Sequence, residues 1–413
     1  MKCCIVANKA WNLTNFRMNI MYRLLELGVE VHAVAPADGY EKKIEEAGIP
    51  FHDWKIQRES LNPLKELHSV RAIRKIYKDV QPDLVHHFTV KALLYGTTAA
   101  RNLGIKAIAN SVTGLPLILV SPKKKLHKRL AGWASMKWYG WAITGSDTHA
   151  LLQNTDDLEL LKSFAPQIEG NCSITNGSGV PLDRFQATEL PNHTPPHIVF
   201  IGRLIREKGI FELMAAAQSL KERGLDFRLT LCGDIDPGNR SSASKSDVDE
   251  WQSRGLFDDA GRVDHVAPIL RDADIVVLPS YREGTPRSLL EAMAVGRPIV
   301  TTDVPGCRNV VDEGQNGFLV PAKEHEGLAT ALETLIVDSK LRETMGQSSR
   351  RLAEDKFDEQ IVIDQIVGVY RRLAPELVPA AAGPANEHAA DNGSSLQAAT
   401  TLDATAQERR QDQ

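Results

Sequence analysis

The sequence predicts an α/β protein built from two doubly wound parallel sheets, each covered by helices. Short apolar segments of strand length alternate with segments of helix length through both halves of the chain, which is typical of parallel sheets. At 413 residues, the chain is long enough for two or three domains. A glycine- and proline-rich stretch over 176–197 separates the two alternating series.

The composition is that of an ordinary globular protein. Apolar residues make up 42% and charged residues 25% of the chain, and the formal net charge is −4, so we expect no nucleic-acid partner. No apolar run is long enough to predict a membrane span, and the apolar start is too short for a signal peptide. The five cysteines form no CxxC or Cys/His cluster, which argues against structural zinc and favours a cytoplasmic location.

The first half of the chain alternates strictly between extended and helical segments. Gly28 ends the first helix, and no GxGxxG fingerprint is present, so a dinucleotide cofactor is not expected. The extended segments are 2–7, 29–36, 51–56, 83–88, 105–112, 149–153 and 171–175. The helices are about 15–27, 40–47, 63–79 and 90–103, a long one after Pro122 and a short one after Asp156.

The alternation breaks where the two domains are expected to join. Residues 176–181 contain two glycines and a proline, and 190–197 are rich in proline and polar residues. We place the domains at 1–180 and 181–374. The amphipathic helix over 358–373 is a candidate to pack back on the first domain. Residues 375–413 have no sustained periodicity and are expected to be disordered.

The second half repeats the alternation. Its predicted helices include 208–223, 248–254 and 358–373, with a polar loop over 234–247. Its predicted strands are 197–202, 227–233, 274–279, 297–302 and 318–320.

Residues 279–321 contain the most informative stretch of the chain. An apolar strand is followed by the turn 281–284 and by a helix for which we predict Thr285 as N-cap and Pro286 as first residue. Glu283 precedes this helix and Glu291 lies in its second turn. Open α/β sheets bind ligands at the carboxyl ends of their strands, and a helix N-terminus favours an anion. The stretch therefore predicts a phosphate-binding site with two carboxylates nearby.

Five motifs of the chain occur in the order of a known family. EGTPRSLLE over 283–291 has an E-x7-E spacing, GRLIREKG over 202–209 resembles a G-R-L…K-G phosphate motif, and NGSGV over 176–180 looks like an N-G-V interdomain loop. HHFTVK, VTGL, LLQNTDDLELL, SYREGTPRSLLEAM and TTDVPGCR are similar to bacterial members that build capsule, O-antigen or lipid-linked oligosaccharides. Over about 2–374 the sequence resembles the family-four retaining glycosyltransferases of the GT-B fold, in which two Rossmann-like domains face each other across a cleft.

The resemblance implies a donor site in the second half. It assigns Glu283 to the donor sugar hydroxyls and Glu291 to the ribose, while Arg203 and Lys208 neutralise the leaving diphosphate. It implies no metal and no cofactor beyond a nucleotide-sugar cosubstrate, for which UDP is favoured. The positions implied in donor binding are Gly202, Gly284, Thr285, Pro286, Ser288, Leu289 and Glu291.

One motif departs from the family pattern. The usual E-G-F-G after the first acid is here Glu283-Gly284-Thr285-Pro286. Because proline lacks an amide hydrogen, backbone contacts to the donor sugar are expected to differ. Taken singly, a glutamate at a helix start would be explained by compensation of the helix dipole alone.

The resemblance places the acceptor side of the cleft in the first half. The positions implied there are Asn15, Arg17, His86 and Lys91. Relatives put a histidine near the reacting sugar, and His87 is the preferred candidate for this catalytic role. Because successive strand residues point to opposite faces, only one of His86 and His87 is expected to face the cleft.

Residues 122–141 combine lysines and an arginine with three tryptophans and a tyrosine. This composition suits an anionic membrane surface, and it equally suits a helix that packs its aromatic residues on its own sheet. Contact with the inner face of the cell membrane would fit an acceptor carried on a membrane lipid.

We therefore expect a retaining glycosyltransferase of surface polysaccharide synthesis, acting on capsule or lipopolysaccharide. It would move a hexose or N-acetylhexosamine from a UDP-sugar to a glycan or polyprenyl-diphosphate-linked acceptor. A UDP-sugar epimerase of the same fold is an alternative, but the acid–base residues that it would need are not evident. A non-catalytic sugar-binding scaffold is a second alternative, against which the intact acids and basic pair argue.

Overall fold

The computed structural model describes residues 1–56, 63–114 and 126–376, and for 63–65 and 126–131 it describes the backbone alone. Two parallel sheets form the framework, which confirms the predicted α/β class. The predicted disorder over 375–413 falls, from residue 377 onward, outside the described residues. The strands of the first sheet are β1 (Lys2–Val6), β2 (Glu30–Ala35), β3 (Phe51–Asp53), β4 (Leu84–Phe88), β5 (Ala107–Val112), β6 (Thr148–Leu152) and β7 (Cys172–Ile174).

The second sheet begins after the proline-rich connection. Its strands are β8 (His197–Ile201), β9 (Arg228–Cys232), β10 (Asp258–Gly261), β11 (Ile275–Leu278), β12 (Ile299–Thr302) and β13 (Gly317–Val320). The strand orders are β3-β2-β1-β4-β5-β6-β7 and β10-β9-β8-β11-β12-β13. In each sheet the order reverses beside the first strand, which makes both sheets doubly wound.

Helices cover both faces of each sheet, which is why strands such as β4 and β5 are buried along their whole length. In the first half the helices are α1 (Ala10–Phe16), α2 (Met18–Glu26), α3 (Glu41–Glu46), α4 (Pro63–Val80), α5 (Val90–Asn102), α6 (Leu126–Ile143) and α7 (Thr155–Lys162). In the second half they are α8 (Ile210–Glu222), α9 (Lys245–Ser253), α10 (Ala267–Arg271), α11 (Arg287–Ala294), α12 (His325–Val337), α13 (Ser339–Leu352) and α14 (Glu359–Leu373).

The last helix, α14, packs on the first sheet although it follows the second in sequence. Its apolar residues Val362, Ile366 and Tyr370 share one buried cluster with residues of β1, β2 and β4. The chain therefore crosses between the sheets twice. The two crossing segments run side by side, since Val180 N donates to Phe357 O at 2.8 Å and Glu359 N donates to Val180 O at 3.1 Å.

Three helix boundaries differ from the sequence prediction. Pro286, with an extended ψ of 110°, is the N-cap of α11, so Thr285 lies outside the helix. The first predicted helix begins earlier, at Ala10, and is interrupted at Arg17. Helix α9 begins at Lys245 because Ser244 and Asp247 form a reciprocal capping box.

The carboxyl ends of strands from both sheets border a cleft of about 1640 Å³. From the first sheet, residues of the loops and helix after β1, β2 and β4 line it, among them Trp11 and Thr89. From the second sheet, Arg203 after β8 and residues 232–240 after β9 line it. None of the described helices is both long and apolar enough to cross a membrane.

Candidate active site

The second sheet brings the predicted basic and acidic residues to its topological switch point. Strand β8 lies between β9 and β11, and the connections from its two neighbours run to opposite sides, which opens a crevice there. Arg203 and Lys208 follow β8, and Glu283 follows β11. Lys208 and Glu283 are 75 positions apart in the sequence. They nevertheless meet in space, because parallel strands end at the same edge of the sheet.

Glu283 is held by two side chains at one oxygen. Lys208 Nζ and Ser280 Oγ both donate to Glu283 Oε1, the latter at 2.6 Å. The backbone N–H of Glu283 donates to Pro305 O at 3.1 Å. With 15% of the side chain exposed, the carboxylate is fixed yet accessible. Ser280 itself is fully buried.

Glycines allow the chain to close around Glu283. Gly306 has a φ of +82°, and a Cβ there would lie 2.3 Å from Gly284 O. Gly209 has a φ of +73°, and its Cβ would lie 2.0 Å from Pro279 O. Only glycine adopts this conformation with so little space, so both loops depend on these positions.

The segment after Glu283 contacts the first domain. Asn154 Nδ2, after β6, donates to Gly284 O at 3.2 Å, and Thr285 Oγ1 donates to Gln153 O at 3.5 Å. A Cβ on Gly284 would lie 2.9 Å from Thr113 O. Gly284, Thr285 and the N-cap proline of α11 therefore lie where the two domains meet.

Glu291 lies one helical turn from Arg287, whose Nε donates to Glu291 Oε1 at 2.8 Å. Burial raises the pKa of Glu291, and the Arg287 charge opposes that rise. Within the same helix, Leu289 is fully buried in the core of the second domain and Ser288 is partly exposed. Glu291 is thus a largely buried carboxylate, with 12% of its side chain exposed, that pairs with Arg287.

Arg203 occupies the open cleft apart from Lys208. Its side chain is 60% exposed, and Nη1 donates to Asp236 Oδ2 at 2.9 Å. Gly202 lines the same cleft, and its N–H donates to Cys232 O at 3.0 Å. The two predicted cations therefore have different settings: Lys208 contacts Glu283, and Arg203 lies in the cleft and pairs with Asp236.

Two family models match most of the chain. Residues 183–352 match the model described as "Glycosyl transferases group 1", and residues 2–139 match "Glycosyl transferase 4-like". The chain is a glycosyltransferase with a 4-like domain followed by a group 1 domain. The predicted enzyme class and the resemblance to family four are thereby confirmed.

Curated relatives of this glycosyltransferase come from bacteria. It is 24% identical to the N,N'-diacetylbacillosaminyl-diphospho-undecaprenol alpha-1,3-N-acetylgalactosaminyltransferase of Campylobacter jejuni, over 90% of this chain and 99% of that protein. It is 26% identical to the capsular polysaccharide biosynthesis glycosyltransferase CapM of Staphylococcus aureus, over 86% and 92%.

Solved structures of similar fold include HepE from Anabaena in complex with UDP. The TM-score is 0.72 at 19% identity, covering 90% of this chain and 100% of that one. The sucrose-phosphate synthase of Thermosynechococcus elongatus gives 0.73 at 18%, covering 90% and 99%. These similarities confirm the GT-B architecture of the glycosyltransferase.

The structure corrects the expectation that His86 or His87 faces the cleft of the glycosyltransferase. Both rings are fully buried on opposite faces of the first sheet. His86 bonds to Tyr370 of α14 and Ser111, and His87 to Tyr77 of α4 and Asn110, at 2.6–2.8 Å. Burial lowers the pKa of both, that of His87 to about 4. Because all four ring nitrogens are engaged in the interior, these histidines stabilise the sheet.

The other predicted acceptor-side residues lie in three different settings. Asn15 Nδ2 donates to Trp11 O at 2.9 Å within α1. Lys91 Nζ donates to both carboxylate oxygens of Glu66 at 3.1 Å, so its charge is paired within the first domain. Arg17 is buried, with its guanidinium over the ring of Phe88.

Sequence reasoning missed two ion pairs that join the domains of the glycosyltransferase. Asp157 at the start of α7 pairs with Arg282, and Asp156 pairs with Arg308 at 2.9 Å. The segment NTDD is a recognisable helix start, and Asn154 caps α7 by accepting from Asp157 N at 2.7 Å. Acids at a helix start are commonly accounted for by the helix dipole, so nothing in the local pattern indicates partners in the other domain.

Proposed function

We propose that this glycosyltransferase transfers a hexose or N-acetylhexosamine, with retention, from a UDP-sugar to a polyprenyl-diphosphate-linked glycan. The observation that carries the proposal is the Lys208–Glu283 pair at the switch point of the second sheet. A nucleotide diphosphate needs positive charge, and a sugar needs hydrogen-bond acceptors, at adjacent points of one site. This pair supplies both.

The proposed step breaks the bond between the sugar C1 and the diphosphate oxygen, and forms a bond from C1 to an acceptor hydroxyl oxygen. The hydroxyl proton passes to the diphosphate oxygen that leaves C1, and UDP departs with the bonding electrons. Lys208 stabilises the negative charge that develops on the diphosphate, and Arg203 attracts it within the cleft. Glu283 accepts hydrogen bonds from the sugar hydroxyls and orients C1.

We propose that lysine and arginine serve here in place of a metal ion. The proposal rests on the contact of Lys208 with Glu283 and on the position of Arg203 in the cleft. Activity should then survive treatment with EDTA, and a loss that Mg²⁺ or Mn²⁺ restores would contradict this part.

The donor and acceptor proposals rest on named relatives. HepE was solved with UDP and with UDP-glucose, and the Campylobacter jejuni relative is named for an undecaprenol-diphosphate acceptor. CapM is named for capsule synthesis. We propose the same classes of donor and acceptor for this chain.

The deciding experiment incubates the full chain with a panel of nucleotide sugars and a polyprenyl-diphosphate glycan, followed by mass spectrometry. The expected result is transfer of one sugar from a UDP donor. A thermal-shift comparison of UDP, GDP and ADP tests the base independently, because a ligand that binds the folded state raises its stability. Sugar interconversion without acceptor, or stabilisation by GDP alone, would contradict the proposal.

We also propose contact with the inner face of the membrane through α6. Trp133 is 62% and Trp141 45% exposed on this helix, and Lys137 is exposed beside them. Aromatic and basic residues together favour an anionic lipid surface. The lysines at 123–125 lie outside the described residues. Co-sedimentation with anionic vesicles should weaken in Trp133→Ala/Trp141→Ala; equal binding by this variant would contradict the contact.

A further inference from the structure

Arg17 is a buried cation without a carboxylate partner among the described residues. It lies between α1 and α2, and 7% of its surface is exposed. Its guanidinium lies 4.0 Å from the centroid of the Phe88 ring. Its buried Nε makes no hydrogen bond to any described residue. Burying a charged group without a paired, hydrogen-bonded counter-charge is unfavourable, so an anionic ligand would remove a penalty that the empty protein carries.

A second cation near Arg17 comes from the other domain. Arg287 at the start of α11 lies over the Phe16 ring, 4.9 Å from its centroid. Burial, and then the Arg287 charge, lower the pKa of Arg17 to about 9. Arg287 has carboxylates of its own, because its Nε donates to Glu291 and it interacts electrostatically with Glu359. The positive charge that lacks compensation therefore belongs to Arg17.

The surroundings of Arg17 connect it to the cleft. Phe88 is the last residue of β4, and the next residue, Thr89, lines the cleft, as does Asn12 of α1. Thr89 Oγ1 and Asn12 Oδ1 are buried and also lack hydrogen-bond partners within the described ranges. Native proteins leave few buried polar atoms unpaired. Two of these groups line the cleft, and the third, Arg17 Nε, belongs to the guanidinium over Phe88, the residue that precedes Thr89. Together they indicate a surface built for a polar ligand.

We infer that Arg17 binds a phosphate group of the acceptor on the amino-terminal wall of the cleft. The inference rests on the proposed function, in which that wall receives a diphosphate-linked glycan. A guanidinium binds two phosphate oxygens at once through charge-assisted hydrogen bonds. The Arg17 site belongs to the first domain, whereas Lys208 and Arg203, to which we assign the donor diphosphate, belong to the second.

Direct binding tests this site without any transfer reaction. The full chain is saturated with UDP to fill the donor site, and inorganic diphosphate is titrated by calorimetry into the wild type, Arg17→Met and Arg23→Met. Arg23 is a matched control, since it lies on α2 and pairs with Glu26 at 3.0 Å. We expect the wild type and Arg23→Met to bind diphosphate alike, and Arg17→Met to bind at least about tenfold more weakly.

Three outcomes of that titration would overturn the inference. The UDP-saturated wild type would bind no diphosphate; Arg17→Met would bind it as the wild type does; or diphosphate would bind only by displacing UDP. The last result would assign the anion to the donor site. If Arg17→Met does not fold, Arg17→Lys retains the charge and loses the planar fork, and its diphosphate affinity is expected to fall in the same direction.

Kinetics then identify the acceptor as the source of the phosphate. The same glycan is offered on a polyprenyl diphosphate and on an uncharged alkyl chain. Arg17→Met should raise KM about tenfold or more for the first acceptor alone, with the Kd of UDP unchanged. An equal rise for both acceptors would overturn the inference. If the wild type glycosylates neither acceptor, the proposed function fails, and the titration still decides whether Arg17 binds phosphate.

Discussion

At the scale of single residues, Glu283 is suited to the proposed chemistry because its neighbours bind one of its two carboxylate oxygens. Lys208 and Ser280 occupy the same oxygen, Oε1, and a pair of donors on one oxygen fixes the plane of the carboxylate. The second oxygen has no hydrogen-bond partner among the described residues. This second oxygen would accept a hydrogen bond from a sugar hydroxyl in a defined direction.

Replacing this carboxylate separates catalysis from nucleotide binding. Glu283→Gln retains the shape and removes the charge, so we expect kcat to fall by about 100-fold or more. The Kd of UDP should change less than about threefold, since UDP lacks the sugar. Steady-state kinetics and calorimetry measure the two quantities. An equal loss in both would show that Glu283 binds the nucleotide instead.

Glu291 is predicted to make UDP binding sensitive to acid. Burial raises its pKa above the ordinary carboxyl value, so the folded protein takes up this proton at a higher pH than an exposed glutamate would. If the charged form accepts hydrogen bonds from the ribose, UDP affinity should fall as pH falls through that raised pKa. Calorimetry across pH is the measurement. In Glu291→Gln the UDP affinity should be lower and should not vary with pH over the same range. If the variant showed the same dependence of UDP affinity on pH as the wild type, the assignment would be contradicted.

At the scale of elements, α14 completes the core of the first domain. Its residue Tyr370 donates to or accepts from His86 Nδ1 at 2.6 Å, in a contact between residues 284 positions apart. The helix thereby packs, together with α1 and α2, on the face of the first sheet that carries His86. This is the physical reason why His86 is structural.

Removing one hydroxyl tests this role. Tyr370→Phe leaves the buried His86 Nδ1 without its partner, which should lower the free energy of unfolding by about 1–3 kcal/mol. Urea denaturation monitored by fluorescence measures it. Donor and acceptor KM should stay at wild-type values. A fall in kcat with an unchanged free energy of unfolding would indicate that His86 acts in the active site instead.

Local sequence patterns predicted the elements well, and the partners of side chains less well. The period of two along β4 correctly placed His86 and His87 on opposite faces. This periodicity could not show that both faces of the first sheet are covered by helices, because one of the covering helices, α14, comes from the end of the described chain. Lys208 was predicted from the resemblance of 202–209 to a phosphate motif, and Glu283 from its place after an apolar strand and from the E-x7-E spacing. Ser280 was not predicted, because a serine after a strand has no distinctive sequence pattern.

At the scale of the whole molecule, charge pairs hold the two domains against each other beside the site. Asp157 is buried, and Arg282 is 31% exposed and immediately precedes Glu283. Arg308 adds a second, more exposed pair with Asp156. The closed arrangement of the Glu283 loop therefore depends on contacts to the first domain.

We expect Asp157→Asn to raise donor KM and lower kcat severalfold, because Arg282 loses the charge that holds its loop closed. Arg282→Gln should produce a similar change, and the double variant should be little worse than either, as coupled residues are non-additive. Steady-state kinetics of the three variants form the cycle. Additive effects would show that the two side chains act independently.

The paired crossings of the chain limit how this enzyme can open. Residues 176–181 and 356–359 are bonded to each other, with Asn176 Nδ2 donating to Lys356 O at 2.6 Å. A Cβ on Gly179 would lie 2.4 Å from Glu359 Cα, so the two segments pack closely at this glycine. The two paired backbone segments together form a single connection between the domains. We therefore expect the two domains to open by a hinge motion at these paired segments, with little sliding of one domain past the other.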